Sequence, residues 1–401
     1  MRKKIFTTAI LMSLLTAQVL PAFSAEKRLT RKQKKEMVMI DAASSSLKDK
    51  QYETSIEFYT KAIELNNENP DTYVGRGNAE FLSGKYKEAV RDYSKAIELD
   101  PKRENLHYNR GIAKANLNSF EEVLEDYTKE IEINPDNINA YLNRGTTKVL
   151  LKQYDEAIDD FSKVIELDEK NELAYYNRGV AKRNKGDYNG AVSDYSKVVE
   201  LNPNNIDAFN NRGVAKFYLK DYKNAIVDYS KVIEFNNSYK RVHFNRGIAN
   251  LGLKHYEEAL LDFTKEIELY PDNDSAYYER AIANSRLDHY VSAIDDYTKA
   301  IEINPDNADY YAERGALISK SEGDLKKAEQ DLNKAIELDD KDSEKYLTRA
   351  IIFCKLNLYL AAIDDLNIVI NMDDKNTQAY DLRSYAIKSM NAEQKKDAGV
   401  R

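Results

Sequence analysis

The chain has 401 residues, 32% of them charged and 42% hydrophobic, with a formal net charge of −8 and no tryptophan. So acidic a chain is poorly suited to nucleic acid, which is held through clustered lysine and arginine. Only 14 glycines and 7 prolines punctuate it, which favours an all-helical protein.

In chain order, the first feature is a charged start (MRKK), an apolar stretch over residues 5–20, and small residues at Ala22 and Ser24. This is the three-part design of a secretory signal peptide, with cleavage expected after Ser24. The apolar run is too short and too interrupted for a membrane span, which takes about 20 residues, and no second span follows. Residues 1–24 are therefore expected to be removed, leaving a secreted or periplasmic protein. Arg2, Lys3 and Lys4 leave with them, so the net charge falls to about −11. A basic N-terminal segment, 25–35, comes next. The stretch EKRLTRKQKKEM (26–37) reads as a solvated linker or a frayed first helical turn, with weak attraction to an anionic membrane surface as the alternative. Cys354 is the only cysteine, so no intrachain disulfide forms.

From residue 36 onward the chain repeats. The triplet Asn-Arg-Gly occurs at 109–111, 143–145, 177–179, 211–213 and 245–247, a step of 34 residues. A fixed period signals a tandem array rather than the two or three globular domains that length alone suggests. Residues 172–205 serve as the type unit. Two helical stretches flank NKGD, where Gly186 and Asp187 supply a turn and a helix start, and Pro203 ends the second helix. Ala191, Tyr195 and Val198 recur at helical spacing.

With each unit numbered from 1 at the equivalent of Glu172, position 4 is aromatic almost throughout, from Tyr73 to Tyr380. Position 8 is small (Gly77, Gly111, Gly145, Gly179, Gly213, Gly247, Ala281, Gly315, Ala350), position 20 is mostly alanine, and position 32 is often proline. Positions 17 and 24 are mostly aromatic. This pattern closely resembles the tetratricopeptide repeat, over residues 36–376. The resemblance implies an all-α fold, a right-handed superhelical α-solenoid of helix–turn–helix repeats. The units run from a degenerate 36–69, through 34-residue steps, to 308–342 with one extra residue, and 343–376. A last helix from about 377 to 391 and a polar tail to residue 401 would cap the array. A glycine inside a helix costs about 1 kcal/mol relative to alanine. Close approach of the two helices across positions 8 and 20 is expected to outweigh that cost.

Position 7 departs from the usual leucine of the family. It is arginine in nearly every unit, and position 23 is aspartate. The pairs Arg110 and Asp126, Arg144 and Asp160, Arg178 and Asp194, and Arg212 and Asp228 are expected to be structural ion pairs, because a guanidinium forks on a carboxylate through strong hydrogen bonds. Pairing within a unit and pairing across to the preceding one are both open.

In tetratricopeptide arrays the first helices line the concave surface, and position 6 faces it. Here it is Asn109, Asn143, Asn177, Asn211 and Asn245 in five consecutive units. An asparagine offers two donors and an acceptor, enough to bracket one peptide group. Packed helices lie roughly 8–10 Å apart and an extended chain advances about 3.3–3.6 Å per residue, so five rungs would hold a segment of about 12–15 residues. The arrangement is similar to the asparagine ladder of some helical-repeat grooves, including the arm of O-linked N-acetylglucosamine transferases. Duplication alone would also copy these asparagines, but neighbouring positions have diverged while they persist. Tyr108, Tyr176, Phe217 and Phe244 are expected to supply side-chain pockets beside them. The lysine and arginine placement of the family's carboxylate clamp is missing. Toward the C-terminus position 6 becomes Glu279, Glu313 and Thr348, which suits a basic segment or a second partner.

No histidine has metal-ligand or triad spacing, no phosphate loop is present, and doublets such as Asp159-Asp160 are one repeat position and its neighbour. No catalytic residue, metal or cofactor is expected. The reading is an exported scaffold that holds an extended segment of an unidentified partner protein or peptide. The alternative is a self-associating structural or spacer component of a cell-envelope assembly.

Overall fold

The structure is a computed structural model that describes residues 29–321 and 323–390. The signal-peptide reading of residues 1–24 and the polar-tail reading of 391–401 lie outside the described residues. Within them stand 21 α-helices and no strand. Two compact units divide the chain after Pro203.

The first unit holds α1 (Arg31–Lys48), α2 (Tyr52–Leu65), α3 (Pro70–Leu82), α4 (Tyr86–Leu99), α5 (Leu106–Asn116), α6 (Phe120–Ile133), α7 (Ile138–Leu150), α8 (Tyr154–Leu167), α9 (Glu172–Lys185) and α10 (Tyr188–Leu201). In the second are α11 (Ile206–Tyr218), α12 (Tyr222–Phe235), α13 (Val242–Gly252), α14 (Tyr256–Leu269), α15 (Asp274–Arg286), α16 (Tyr290–Ile303), α17 (Ala308–Lys320), α18 (Leu325–Leu338), α19 (Ser343–Lys355), α20 (Tyr359–Met372) and α21 (Thr377–Ser389). Within each unit a helix packs on the next in sequence, and several odd-numbered helices touch the next odd-numbered one, so the first helices of successive hairpins stand side by side.

Part of the basic segment is helical. Residues 25–28 lie outside the described residues; from Arg31 on the chain is the 18-residue helix α1, whose first turn Thr30 and Gln33 close with a capping box.

In nine hairpins the described turn passes through a left-handed residue at position 15. Gly84 and Gly186 supply it in two hairpins, while Lys50, Asn118, Lys152, Lys220, Lys254, Asp288 and Asn357 adopt the same conformation despite their side chains. Asparagine caps then start many first helices: Asn137, Asn171 and Asn205 each accept a backbone N–H from three residues on.

The core is a row of rings. Tyr93, Tyr127, Phe161, Tyr195, Tyr229, Phe263 and Tyr297, all at position 24, are almost wholly inaccessible. A Cβ added at Gly111 would sit 2.8 Å from the Tyr127 ring, and one at Gly179 would sit 2.9 Å from Tyr195. The glycine therefore makes room for the position-24 ring of its own hairpin, a closer neighbour than the alanine at position 20.

Candidate functional site

The charged frame comes first, because it fixes the first helices. Arg110 donates from Nε and Nη2 to Asp126, the shortest bond being 2.6 Å. Arg144 forks on Asp160 at 3.0 and 2.6 Å, Arg178 on Asp194 at 3.0 and 2.7 Å, and Arg212 on Asp228 at 2.9 and 2.6 Å. These pairs form within a hairpin. The third guanidinium nitrogen, Nη1, reaches back to the preceding hairpin: Arg110 to Ser94 at 3.1 Å, Arg144 to Thr128 at 3.0 Å, Arg178 to Ser162 at 3.0 Å. The same bond joins Arg246 to Ser230 and Arg280 to Thr264. One arginine thus fastens three helices.

The second carboxylate oxygen takes a further cation. Lys114, Lys148, Lys182 and Lys216, at position 11, meet Asp126, Asp160, Asp194 and Asp228 at 2.7–3.0 Å. Sequence reasoning missed these lysines, although a constant spacing of four residues after the arginine was there to find them. In later hairpins Asn250 and Asn284 take their place, each 3.1 Å from the aspartate. The ring at position 4 lies under the guanidinium, as for Arg144 over Tyr141 at 5.5 Å and Arg212 over Phe209 at 5.3 Å. His107 instead sets Nδ1 3.5 Å from Asp126. Burial alone would raise the Asp126 carboxyl, but His107 and Arg110 outweigh it and hold it below its usual value.

The expected asparagine ladder is only partly open. Asn143 is buried and donates from Nδ2 to the Tyr108 hydroxyl at 3.2 Å. Tyr108 is itself buried, its ring 5.9 Å from that of Tyr127. Neither is an open rung or pocket, because the long tyrosine reaches from α5 to the asparagine of α7. Phe244 is likewise core rather than pocket: it is buried against Phe263 at 5.8 Å, with Arg241 stacked over it. Tyr176 is half-buried against Tyr195, and Phe217 is half-buried between Tyr218 and Tyr222.

Asn109 and Asn177 differ from Asn143 for a reason written one repeat earlier. Position 5 of the hairpin before them is Val74 and Leu142, which have no hydrogen-bonding group, whereas Tyr108 precedes Asn143. The side-chain amides of Asn109 and Asn177 are half-buried and make no hydrogen bond among the described residues. Asn245 in the second unit is in the same state, and Asn211 is half-buried. Below this face run the tyrosine hydroxyls of position 24. Tyr93 donates to Asn78 at 2.8 Å, Tyr127 is buried beside Asn143, and the buried Tyr195 hydroxyl has no hydrogen-bond partner among the described residues.

Further on, the same surface changes sign. Glu279 on α15 is half-buried, and burial pushes its carboxyl up to about 7. Glu313 on α17 is raised by burial too; Arg286 opposes the shift, while Asp309 and Glu344 add to it. Neither forms an ion pair among the described residues. Tyr278 beside Glu279 packs on Tyr297 at 5.8 Å and Tyr310 at 5.0 Å.

One hairpin puts an acid in the lysine's place. Glu80 stands at position 11 beside Asp92, which Arg76 already forks at 2.6 and 2.8 Å. Glu80 is 7% exposed with Oε2 unpartnered; burial first, then the Asp92 charge, push its carboxyl up to about 8.

Comparison with known proteins agrees with this geometry. Tetratricopeptide-repeat models match residues 39–69, 138–171, 173–205, 206–239, 240–273, 275–307 and 308–342, and a TPR-repeat model matches 77–118. The chain belongs to the tetratricopeptide-repeat family. Among solved structures it is similar to a tetratricopeptide repeat protein from Parabacteroides merdae, at 21% identity over 62% of this chain and 99% of the other, with a TM-score of 0.46. It is also similar to YrrB, a TPR protein with an unusual peptide-binding site, at 26% identity over 49% of this chain and 97% of that one, with a TM-score of 0.43. A third is yeast Tom70, at 19% identity over 92% and 90% of the two chains, with a TM-score of 0.38. No curated protein matches the sequence. As a tetratricopeptide-repeat array, the chain is a scaffold for protein–protein interaction. Among the described residues no helix is long and apolar enough to cross a membrane, and no cluster of metal-ligating side chains is present.

Proposed function

We propose that the face built by α5, α7 and α9 binds an extended segment of a partner protein, with Asn109 and Asn177 gripping its backbone. The observation that carries this reading is the pair of unspent amides on either side of an asparagine that is already tied to Tyr108. An amide with both a donor and an acceptor free matches a peptide group without reading its side chain. With helices roughly 8–10 Å apart and about 3.3–3.6 Å per extended residue, grips two helices apart meet the strand about every fifth or sixth residue. The buried Tyr195 hydroxyl, without a partner among the described residues, adds a polar group below the same surface. On the second unit, taken by itself, Glu279 and Glu313 favour a segment with basic side chains. The leader-like residues 1–24 support a place outside the cytoplasm.

A peptide-display library supplies ligands for the test. In the double variant Asn109→Ala with Asn177→Ala, affinity for selected peptides falls about tenfold, the worth of one or two hydrogen bonds, and the melting temperature holds. Unchanged affinity in that variant would end the proposal.

A further inference from the structure

Nine first helices share one arrangement, and the tenth to carry the arginine lacks half of it. From α3 through α19, the arginine at position 7 is forked by an aspartate from the second helix of its hairpin, as in Arg280 on Asp296 and Arg349 on Asp365. The extra residue at 308–342 leaves this intact, since Arg314 still takes Asp331 at 2.8 and 2.7 Å.

α21 carries the first-helix half in full. Ala379 and Ala386 are buried against the preceding hairpin, Tyr380 is at position 4, and Ser384 is the small residue at position 8. Arg383 keeps its backward contact, donating from Nη1 to Asn367 at 2.8 Å and stacking over Tyr380 at 5.3 Å. Its Nε and Nη2, which elsewhere hold both carboxylate oxygens, have no partner among the described residues. Around them Tyr380 is 39% and Tyr385 54% exposed.

We propose that this face of α21 takes a helix in trans, from another polypeptide, whose chemistry is that of the nine second helices. That helix carries an aspartate to fork Arg383, a small residue three positions before it, and a leucine or aromatic residue just after. Leucine suits Ser384, as Leu366 serves in the hairpin whose position 8 is Ala350. Sixteen and seventeen residues after Arg383 stand Gly399 and Val400, where the other hairpins have aspartate. A guanidinium with two donors unpaired among the described residues sets the charge and the register of the guest.

The sequence of α18 (325–338) is a ready probe, with Ala328, Asp331 and Leu332 in the required places. A fluorescently labelled synthetic peptide of that sequence, titrated into the full chain and followed by anisotropy, binds saturably. The Asp331→Asn peptide binds at least tenfold more weakly, which leaves the protein untouched, and the wild-type peptide binds the Arg383→Leu protein with a similar loss. Equal binding of the two peptides, no binding at all, or binding that ignores Arg383→Leu overturns the proposal. Binding only to a variant that ends at residue 390 also overturns it, by showing that the chain's own tail covers the face.

Discussion

Asn109 and Asn177 in the first unit, and Glu279 and Glu313 in the second, occupy position 6 of first helices carried by the same frame. Around Asn177 stands Arg178 forked on Asp194, and around Glu279 stands Arg280 forked on Asp296, with nearly identical distances. The frame is held constant by burial and charge, since a half-satisfied carboxylate inside the array is costly. The lining has no such constraint. One region presents neutral amides suited to any backbone, the other carboxylates suited to basic side chains, and neither choice disturbs the packing beneath.

The largest effect falls on what the regions share. Arg144→Leu strands Asp160 with Lys148 alone, and Arg280→Leu strands Asp296 with Asn284 alone. Each costs about 3 kcal/mol or more in denaturant unfolding, the second more than the first because no cation remains. Equal losses would show that position 11 contributes nothing to the frame.

The next effect concerns a carboxyl that breaks the frame. The Glu80 carboxyl is raised from 4.5 to about 8, so the folded protein binds a proton there that the unfolded chain releases. Stability contributed by that proton is complete below about pH 4.5 and is lost as pH rises through 8. Melting temperatures measured from pH 6 to 9 should therefore fall, and Glu80→Lys, which restores the cation of later hairpins, should flatten the trend. A trend unchanged by the substitution would place its source elsewhere.

A smaller shift separates the linings. Glu279, raised to about 7, is largely protonated at pH 6 and charged at pH 8. Affinity for a lysine-rich peptide should rise severalfold over that interval and lose its slope in Glu279→Gln, whereas affinity for peptides selected on the asparagine face should not follow pH. Equal slopes for both peptide classes would erase the distinction between the regions.

Smallest of all is the turn. Lys152 holds a left-handed φ of 62°, which glycine adopts without strain. Lys152→Gly should stabilise the chain by about 0.5–1 kcal/mol, seen as a higher denaturant midpoint; a lower midpoint would mean that the lysine side chain earns its place.

The fold was legible because its period is strict: small position 8, aromatic position 24 and proline at 32 recur until only one arrangement of helices suits them. The Arg–Asp forks were legible for the same reason. Their link to the previous hairpin was not, because Ser94, Thr128 and Ser162 look like ordinary helix-surface residues until the guanidinium is placed. The groove was not legible rung by rung. Position 6 shows five like asparagines, yet whether Asn143 or Asn177 is free depends on position 5 one repeat earlier, where Tyr108 consumes Asn143 and Leu142 spares Asn177. Tyr108 and Phe244 went astray in the same way, since a large ring at the edge of a groove gains more by turning inward onto Tyr127 or Phe263 than by facing water.

The Nη1 bond from these arginines to a hydroxyl or amide oxygen of the hairpin before, as in Arg110 to Ser94 and Arg349 to Asn333, has a consequence for how the protein comes apart. An internal hairpin cannot leave without breaking a fastening on both sides, while a terminal one surrenders a single junction. Within each unit, unravelling should erode from the margins in 34-residue steps, and shortened versions cut at those steps should keep their remaining interior as it was.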